Sequence, residues 1–263
     1  MADARSILDD LEAESDELDR IVSDLSEQEW RLATPAEGWT IAHQIAHLAW
    51  TDDKAALAVT SPDDFQAGLA TAMQNPTGFV DDGAAEGARR RPEQLLAGWR
   101  AGRNALRKAL AAVPDGAKVP WFGPPMSAAS MATARIMETW AHGQDVADSL
   151  GIVRIPTSRL RHVAHIGVRA RDFAYAVNQL AAPSEQFRVE LTAPDGQIWA
   201  WGPGEAAQRV SGNALDFCLL VTQRRHRDDT GLLAEGPDAD RWLNIAQAFA
   251  GPSGNGREAG QFS

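Results

Sequence analysis

The chain of 263 residues has one cysteine, three lysines (Lys54, Lys108 and Lys118) and no long apolar run. A single cysteine, Cys218, cannot close an intrachain disulfide and is too few for a cysteine-rich zinc site. Set in the apolar run LDFCLLV, it reads as a buried structural residue rather than a nucleophile. Without a stretch of roughly 18 apolar residues, no membrane-spanning helix is expected. Positive charge is scarce as well. The 25 bases face 36 acids, a net charge of −11, whereas nucleic-acid binding needs a basic surface to displace counterions from phosphate. The opening segment MADARSILDDLEAESDELD is acidic, where a secretory signal begins basic and then turns apolar. The expectation is a soluble cytoplasmic protein, monomer or homodimer, with neither nucleic acid nor membrane as partner.

What is present suffices for a folded core. Apolar residues make up 44% of the chain, a normal globular fraction, and the length fits one large or two ordinary domains. The charge is unevenly placed. Residues 1–150 hold 24 acids and 13 bases, while residues 151–263 hold 12 of each. Eight acids fall in the first 20 residues. They read as the solvated face of a helix.

Hydrophobic spacing divides the chain in the same place. Residues 5–25 carry Leu8, Leu11, Leu18 and Val22 at helical intervals. Thr40 is placed to cap a helix running to Thr60. Ser61 and Pro62 open a shorter helix ending near Asn75 and Pro76. Another runs over 92–113 behind Pro92, and a last one from Ser127 to Leu150 stops at Gly151. Beyond Pro156 the pattern mixes. A helix over 157–180 precedes two alternating strands, FRVELTA and QIWAW, joined at PDG. Ser211 is read as the cap of a helix through ALDFCLLVT. A strand near 231–234 and a helix over 238–249 follow. The expected architecture is an α, all-helical first domain (1–153), a smaller α+β domain (154–251) and a disordered tail (252–263).

The residues that can carry chemistry lie on two of the bundle helices. His43 and His47 are four apart and share a helix face with Trp50. In METWAHGQD, Glu138, His142 and Asp145 fall at i, i+4 and i+7, on one stripe. One helical turn sets side chains about 5–6 Å apart at their β-carbons, so a carboxylate and an imidazole can converge on one ion. A third ligand from a neighbouring helix gives a His2Glu set with open positions, the catalytic pattern for zinc; nickel or iron use it too. A Glu-x-x-x-His pair is also a common surface ion pair, and spacing alone leaves both readings open.

At these residues the chain resembles a known family. TPAEGWTIAHQIAHLAWTD and MSAASMATARIMETWAHGQDVADSLG resemble the DinB/YfiT-like metalloenzyme superfamily, and more closely the N-terminal domain of mycothiol-dependent maleylpyruvate isomerases. VELTAPDGQIWAWGPGEAAQRVSGNALDFCLLVTQRR is similar to the C-terminal domain of the same proteins, in a branch sometimes labelled after wyosine-base formation. The resemblance implies a four-helix bundle holding one divalent metal. Its ligands, carried over by position, are His47, Glu138 and His142. His43, one turn earlier, and Trp50 become candidates for shaping a cofactor pocket. The resemblance also implies that the open metal position takes a low-molecular-weight thiol, mycothiol, which as a thiolate attacks a small electrophilic substrate. Asp145 is a candidate for orienting His142 or a water, and Arg224 and Arg225 for holding a substrate carboxylate. Cations at a helix end are equally explained by the helix dipole. Three activities compete on these residues: a thiol-dependent isomerase or transferase; a hydrolase, lyase or cyclase using metal-bound water; and a non-catalytic metal- or ligand-binding protein.

Overall fold

A computed structural model of the chain describes residues 4–72, 74–75, 78–254 and 256–262. The chain separates into two compact units, Met1–Val153 and Arg154–Ser263. The first is helical and the second mixes helices with a small sheet.

Four long helices form the first unit: α1 (Ala4–Val22), α2 (Ile41–Thr60), α5 (Pro92–Ala111) and α6 (Ala128–Leu150). Two short helices, α3 (Pro62–Ala72) and α4 (Phe79–Ala88), lie between α2 and α5 in sequence. The caps explain the boundaries. Ser127 Oγ accepts the Ser130 amide at the start of α6, and Gly151 ends it with φ +66°, the left-handed turn glycine adopts without strain. Pro92 stands at the first turn of α5. Pro76, named above as a helix terminator, lies outside the described residues. Helix α4 is not anticipated by the sequence because FVDDGAAEGA carries no strong apolar period. Its glycines account for it: a β-carbon at Gly83 would lie 2.8 Å from the Trp50 ring and one at Gly87 2.7 Å from Ala46 Cβ. Only glycine lets α4 approach α2 so closely.

The bundle core is split in two. One apolar cluster gathers Leu18, Val22, Ile41, Ile45, Leu48, Leu95, Trp99 and Val146. The other gathers Leu8, Leu11, Ala55, Phe65, Leu106, Leu110, Met131 and Ile136. The residues between them on α1, α2 and α6 include buried polar ones: Glu14 and Ser15; Thr51 and Asp52; Thr139 and Asp145, with His47 and Arg135 at the facing edges of the two clusters. A polar layer therefore crosses the middle of the bundle.

The acids of α1 are not simply a solvated face. Arg100, Arg103 and Arg107 form a stripe on α5 that pairs with Asp19 (2.5 and 2.7 Å), Asp16 (2.9 Å), Glu12 (3.2 Å) and Asp9 (3.5 Å). The period of three to four on each helix puts opposite charges in register along the seam.

In the second unit, α7 (Leu160–Arg169) and α8 (Arg171–Val177) precede β1 (Phe187–Thr192), β2 (Ile198–Trp201) and β3 (Gln208–Asn213). Then come α9 (Ala214–Val221), β4 (Leu233–Glu235) and α10 (Pro237–Ile245). The sheet order is β2-β1-β3-β4, with β1 and β3 parallel and the outer pairs antiparallel. After β2 the chain passes beneath the start of β1 to reach its other side. Gly202 makes this crossing: at φ +78° a β-carbon there would sit on the Phe187 carbonyl oxygen. Phe187, Val189, Leu191, Trp199 and Val210 are buried from the sheet, as are Phe217 and Trp242 from α9 and α10. Ser211 lies in strand β3 and does not cap α9. That cap is Asn213, whose side chain accepts the Leu215 amide at 2.8 Å. Cys218 is fully buried, with its thiol on the Leu160 carbonyl at 3.4 Å; burial pushes its pKa up, which keeps it protonated and inert. Residues near the C-terminus, expected to be disordered, make specific contacts. The Gly260 amide donates to Asp229 at 2.8 Å, and Arg225 lies 4.4 Å from the centre of the Phe262 ring. Among the described residues no helix is long and apolar enough to cross a membrane.

Asp19 tests the charged seam. Arg100, hydrogen-bonded to it, holds its carboxyl below the ordinary value, with burial opposing. A carboxylate whose pKa is depressed by folding stabilises the fold above its unfolded value and loses that contribution as pH falls through the folded one. Asp19→Asn is expected to lower stability by about 1–3 kcal/mol at pH 7. In urea unfolding, the difference from wild type should shrink below about pH 3.9.

Candidate metal centre

Helix α2 starts at Thr40, and its cap uses the first histidine. His43 Nδ1 accepts the Thr40 amide at 3.3 Å and lies 2.8 Å from Thr40 Oγ1, closing a capping box. This fixes where α2 begins and therefore where His47 points, one turn on. His47 is buried against α6, opposite Glu138 and His142. Its Nε2 lies 3.3 Å from Glu138 Oε2, and His142 Nε2 lies 3.2 Å from the same oxygen. The imidazole centroids are 4.4 Å apart. One donor atom from each of the three residues falls within 4.8 Å of the others.

The electrostatics favour a neutral His47 and an ionised Glu138. Burial is the main cause that drives the His47 pKa down to about 4, helped by neighbouring His142 and opposed by the hydrogen bond to Glu138. For Glu138 burial acts upward, yet the hydrogen bonds and charges of His142 and His47 hold it well below the usual carboxylate range.

The donor set fits a divalent ion. Ligands held about 2.0–2.2 Å from zinc in tetrahedral or octahedral arrangement lie about 3.0–3.5 Å from one another. The two nitrogen–oxygen separations fall in that range. Two imidazoles and one carboxylate also form a borderline donor set, suited to zinc, nickel or iron.

Neighbouring side chains complete the surroundings. Trp39 covers the cluster, its ring centre 5.4 Å from that of His47 and 5.9 Å, stacked, from that of His142. Its indole nitrogen donates to Asp81 at 3.2 Å, at the start of α4. Gln44 Oε1 sits 2.5 Å from His142 Nδ1. Further along α2, Asp52 pairs with Arg135 at 2.9 Å, both buried. Arg135, one turn before Glu138, thus pairs with Asp52.

Among the residues singled out from sequence, His47, Glu138 and His142 come together. His43 is engaged by the cap. Trp50 turns to an aromatic cluster with Phe79 and Phe122 (ring centres 5.8 and 6.0 Å), lining a cavity of about 210 Å3; the aromatic ring over the histidines is Trp39. Asp145 is fully buried on α6, and the partner at His142 Nδ1 is Gln44. Arg224 and Arg225 lie in the second unit, where Arg224 Nη1 donates to the Thr222 carbonyl at 2.6 Å and Arg225 Nη1 to the Arg224 carbonyl at 2.7 Å. Both satisfy carbonyls just beyond the C-terminus of α9. Sequence reasoning missed Trp39 and Gln44. The signal for Gln44 was its place three residues before His47, on the adjoining part of the same face.

Comparison with known proteins places the chain. The family model for the mycothiol maleylpyruvate isomerase N-terminal domain matches residues 11–147, and one described as wyosine base formation matches residues 183–235. Two uncharacterised proteins of Mycobacterium tuberculosis, from strains CDC 1551 / Oshkosh and ATCC 25618 / H37Rv, are each 58% identical over 257 residues. The match covers 98% of this chain and 100% of each relative. Among solved structures, a mycothiol-dependent maleylpyruvate isomerase and its histidine-to-alanine mutant share the fold. Their TM-scores are 0.58 and 0.60 at 20% and 21% identity, covering 90% of this chain and 95% of theirs.

His47 gives the cluster an acid signature. Its pKa is about 4 in the fold against 6.5 ordinarily, so between those values the unfolded chain binds a proton that the native state does not. The stability from this residue is full above pH 6.5 and declines by up to about 3 kcal/mol as pH falls towards 4. Urea midpoints of the metal-free protein should drop further between pH 7 and 4.5 in wild type than in His47→Gln.

Proposed function

The chain belongs to the mycothiol maleylpyruvate isomerase N-terminal domain family, and on that premise we propose a divalent-metal-dependent enzyme, an isomerase or transferase, that uses a low-molecular-weight thiol on a small electrophilic substrate. One observation carries the reading: two imidazole nitrogens, of buried His47 and half-buried His142, converge on a single carboxylate oxygen at 3.3 and 3.2 Å. His47, Glu138 and His142 are the residues to hold the metal, zinc first, with nickel or iron as alternatives. When bound, the ion would lower the pKa of a coordinated thiol, keeping it as the nucleophilic thiolate. Three protein donors leave room for such an exogenous ligand.

The chain's own residues supply the rest. Neutral His47 and ionised Glu138 offer their lone pairs without first losing a proton near neutral pH. Trp39 shields the cluster with an apolar ring, which limits water and strengthens electrostatic interactions beneath it. Cys218 is buried and protonated in the second unit, so the reactive sulfur has to come from outside. The thiol is proposed as mycothiol, from the name of the matching family. The wyosine-named match falls on the small sheet and α9, and a chain of net charge −11 is poorly suited to a phosphate-rich RNA.

Elemental analysis of purified protein tests the metal. Wild type should carry about one divalent ion per chain and His47→Ala close to none; a metal-free wild type, or unchanged metal in the variant, would refute the reading. A panel of small electrophiles, assayed with and without mycothiol, tests the thiol. Turnover is expected only with thiol and should be lost in His142→Ala. Turnover without thiol that is still lost in His142→Ala would favour chemistry by metal-bound water.

A further inference from the structure

We propose that Gln44, held in one orientation by Thr34 and the Trp39 carbonyl, is a positioning residue that fixes the tautomer of His142 and leaves its Nε2 free to bind a cation. The inference rests on the metal reading above and specifies how the site is set up.

The argument is an accounting of protons. His142 Nδ1 and Gln44 Oε1 are 2.5 Å apart, and the Gln44 side chain is fully buried. An amide can face a ring nitrogen in two ways. With its oxygen towards His142, the ring must donate from Nδ1 and Nε2 keeps a lone pair. With its NH2 towards His142, the ring accepts at Nδ1 and the proton of the neutral imidazole moves to Nε2. The first arrangement presents a metal ligand; the second turns an N–H on Glu138.

The other end of the amide decides between them. The Gln44 nitrogen lies 2.8 Å from Thr34 Oγ1. Thr34 has one hydroxyl proton, and its Oγ1 is 3.0 Å from the Trp39 carbonyl oxygen. A carbonyl can only accept, so the Thr34 proton goes to Trp39. Thr34 then has only lone pairs for Gln44, which must present its NH2 to Thr34 and its oxygen to His142. The reverse orientation would spend the Thr34 proton on the amide oxygen and leave two acceptor oxygens facing each other at 3.0 Å. The Thr34 and Trp39 backbones are themselves locked, because the Thr34 amide donates to the same Trp39 oxygen at 2.8 Å. The direction of the chain is therefore set by the backbone: Trp39 carbonyl, Thr34 hydroxyl, Gln44 amide, His142 ring.

The result at the cluster is a bare Nε2 on His142, 3.2 Å from the Glu138 carboxylate. Two lone pairs at that distance are satisfied by a cation between them, a proton or a metal ion. A histidine ligand that donates its other N–H to a fixed carbonyl is held in both rotation and tautomer, and loss of such a partner commonly weakens metal binding 10–100-fold.

Two measurements on the full chain decide the matter. The first is long-range proton–nitrogen correlation on 15N-histidine protein, metal-free at pH 8.5, with His142 assigned through His142→Gln. Wild type should carry the His142 proton on Nδ1, and Gln44→Leu should move it to Nε2. The second is zinc affinity by chelator competition. Gln44→Leu should weaken it 10–100-fold. Gln44→Glu, which keeps an acceptor at Nδ1, should stay within a few-fold of wild type. Thr34→Val, which frees the amide to flip, should fall between. A wild-type proton on Nε2, or a folded Gln44→Leu protein that binds zinc as tightly as wild type, overturns the proposal. If Gln44→Leu fails to fold, Thr34→Val decides by the same two readouts. If wild type binds no zinc, the metal reading falls, and the tautomer alone upholds or refutes the role of Gln44.

Discussion

The site depends on the antiparallel register of α2 against α6. Three side-chain pairings run along that seam: Gln44 with His142, His47 with Glu138 and His142, and Asp52 with Arg135. As the number rises on α2 it falls on α6, so one helix–helix alignment satisfies all three. The two apolar clusters on either side hold the helices together but would tolerate some sliding, since apolar contact is non-directional. The polar layer between them is directional. It converts a roughly packed bundle into one with a defined register, and the candidate metal centre is part of that layer.

Much of this was legible because it is local. The i, i+4 spacing of Glu138 and His142, the capping signal at Thr40 and the stop at Gly151 are properties of single helices. A helical half followed by an α+β half could be read from where the hydrophobic period changes, while the four-helix bundle itself came from the resemblance. The third ligand needed the family resemblance, because nothing on α2 says which of His43 and His47 turns inward. In the structure His43 is engaged in the capping box at the start of α2, while His47, one turn on, meets Glu138 and His142 of α6. Trp39 and Gln44 were not legible. Glutamine does not titrate and has no characteristic spacing, and its partner lies 98 residues away. Strand β3 was hidden for another reason. QRVSGN has a single large apolar residue, Val210, and its serine mimics a cap two residues before the asparagine that performs that role.

Net charge shows the same divide between composition and pairing. The excess of acid is a sum over the first 150 residues, and it led to a picture of solvated faces. Half of the eight acids in the opening stretch instead meet the arginines of α5. Exposed members of this seam are worth little individually. Asp19, buried between two guanidiniums, is the member whose pKa responds. The seam fixes α1 against α5 on the side of the bundle away from the α2–α6 contact that carries the site.

The buried Asp52–Arg135 pair shows why such a layer persists. Burial raises the pKa of Asp52 even with Arg135 beside it, so the pair is costly to keep in the core, and well-packed apolar residues would often stabilise a fold more. Removing one partner is a different matter, since an uncompensated buried charge costs about 3–5 kcal/mol. Sliding α2 along α6 by a turn amounts to the same loss, because it separates Asp52 from Arg135 inside the core. The pair therefore penalises the wrong register more than it rewards the right one. That penalty falls one to two turns from Glu138 and His47, where a displacement of about 1 Å would already separate the three donors beyond ligand distance. Stability given up in the polar layer is thus returned as precision at the site.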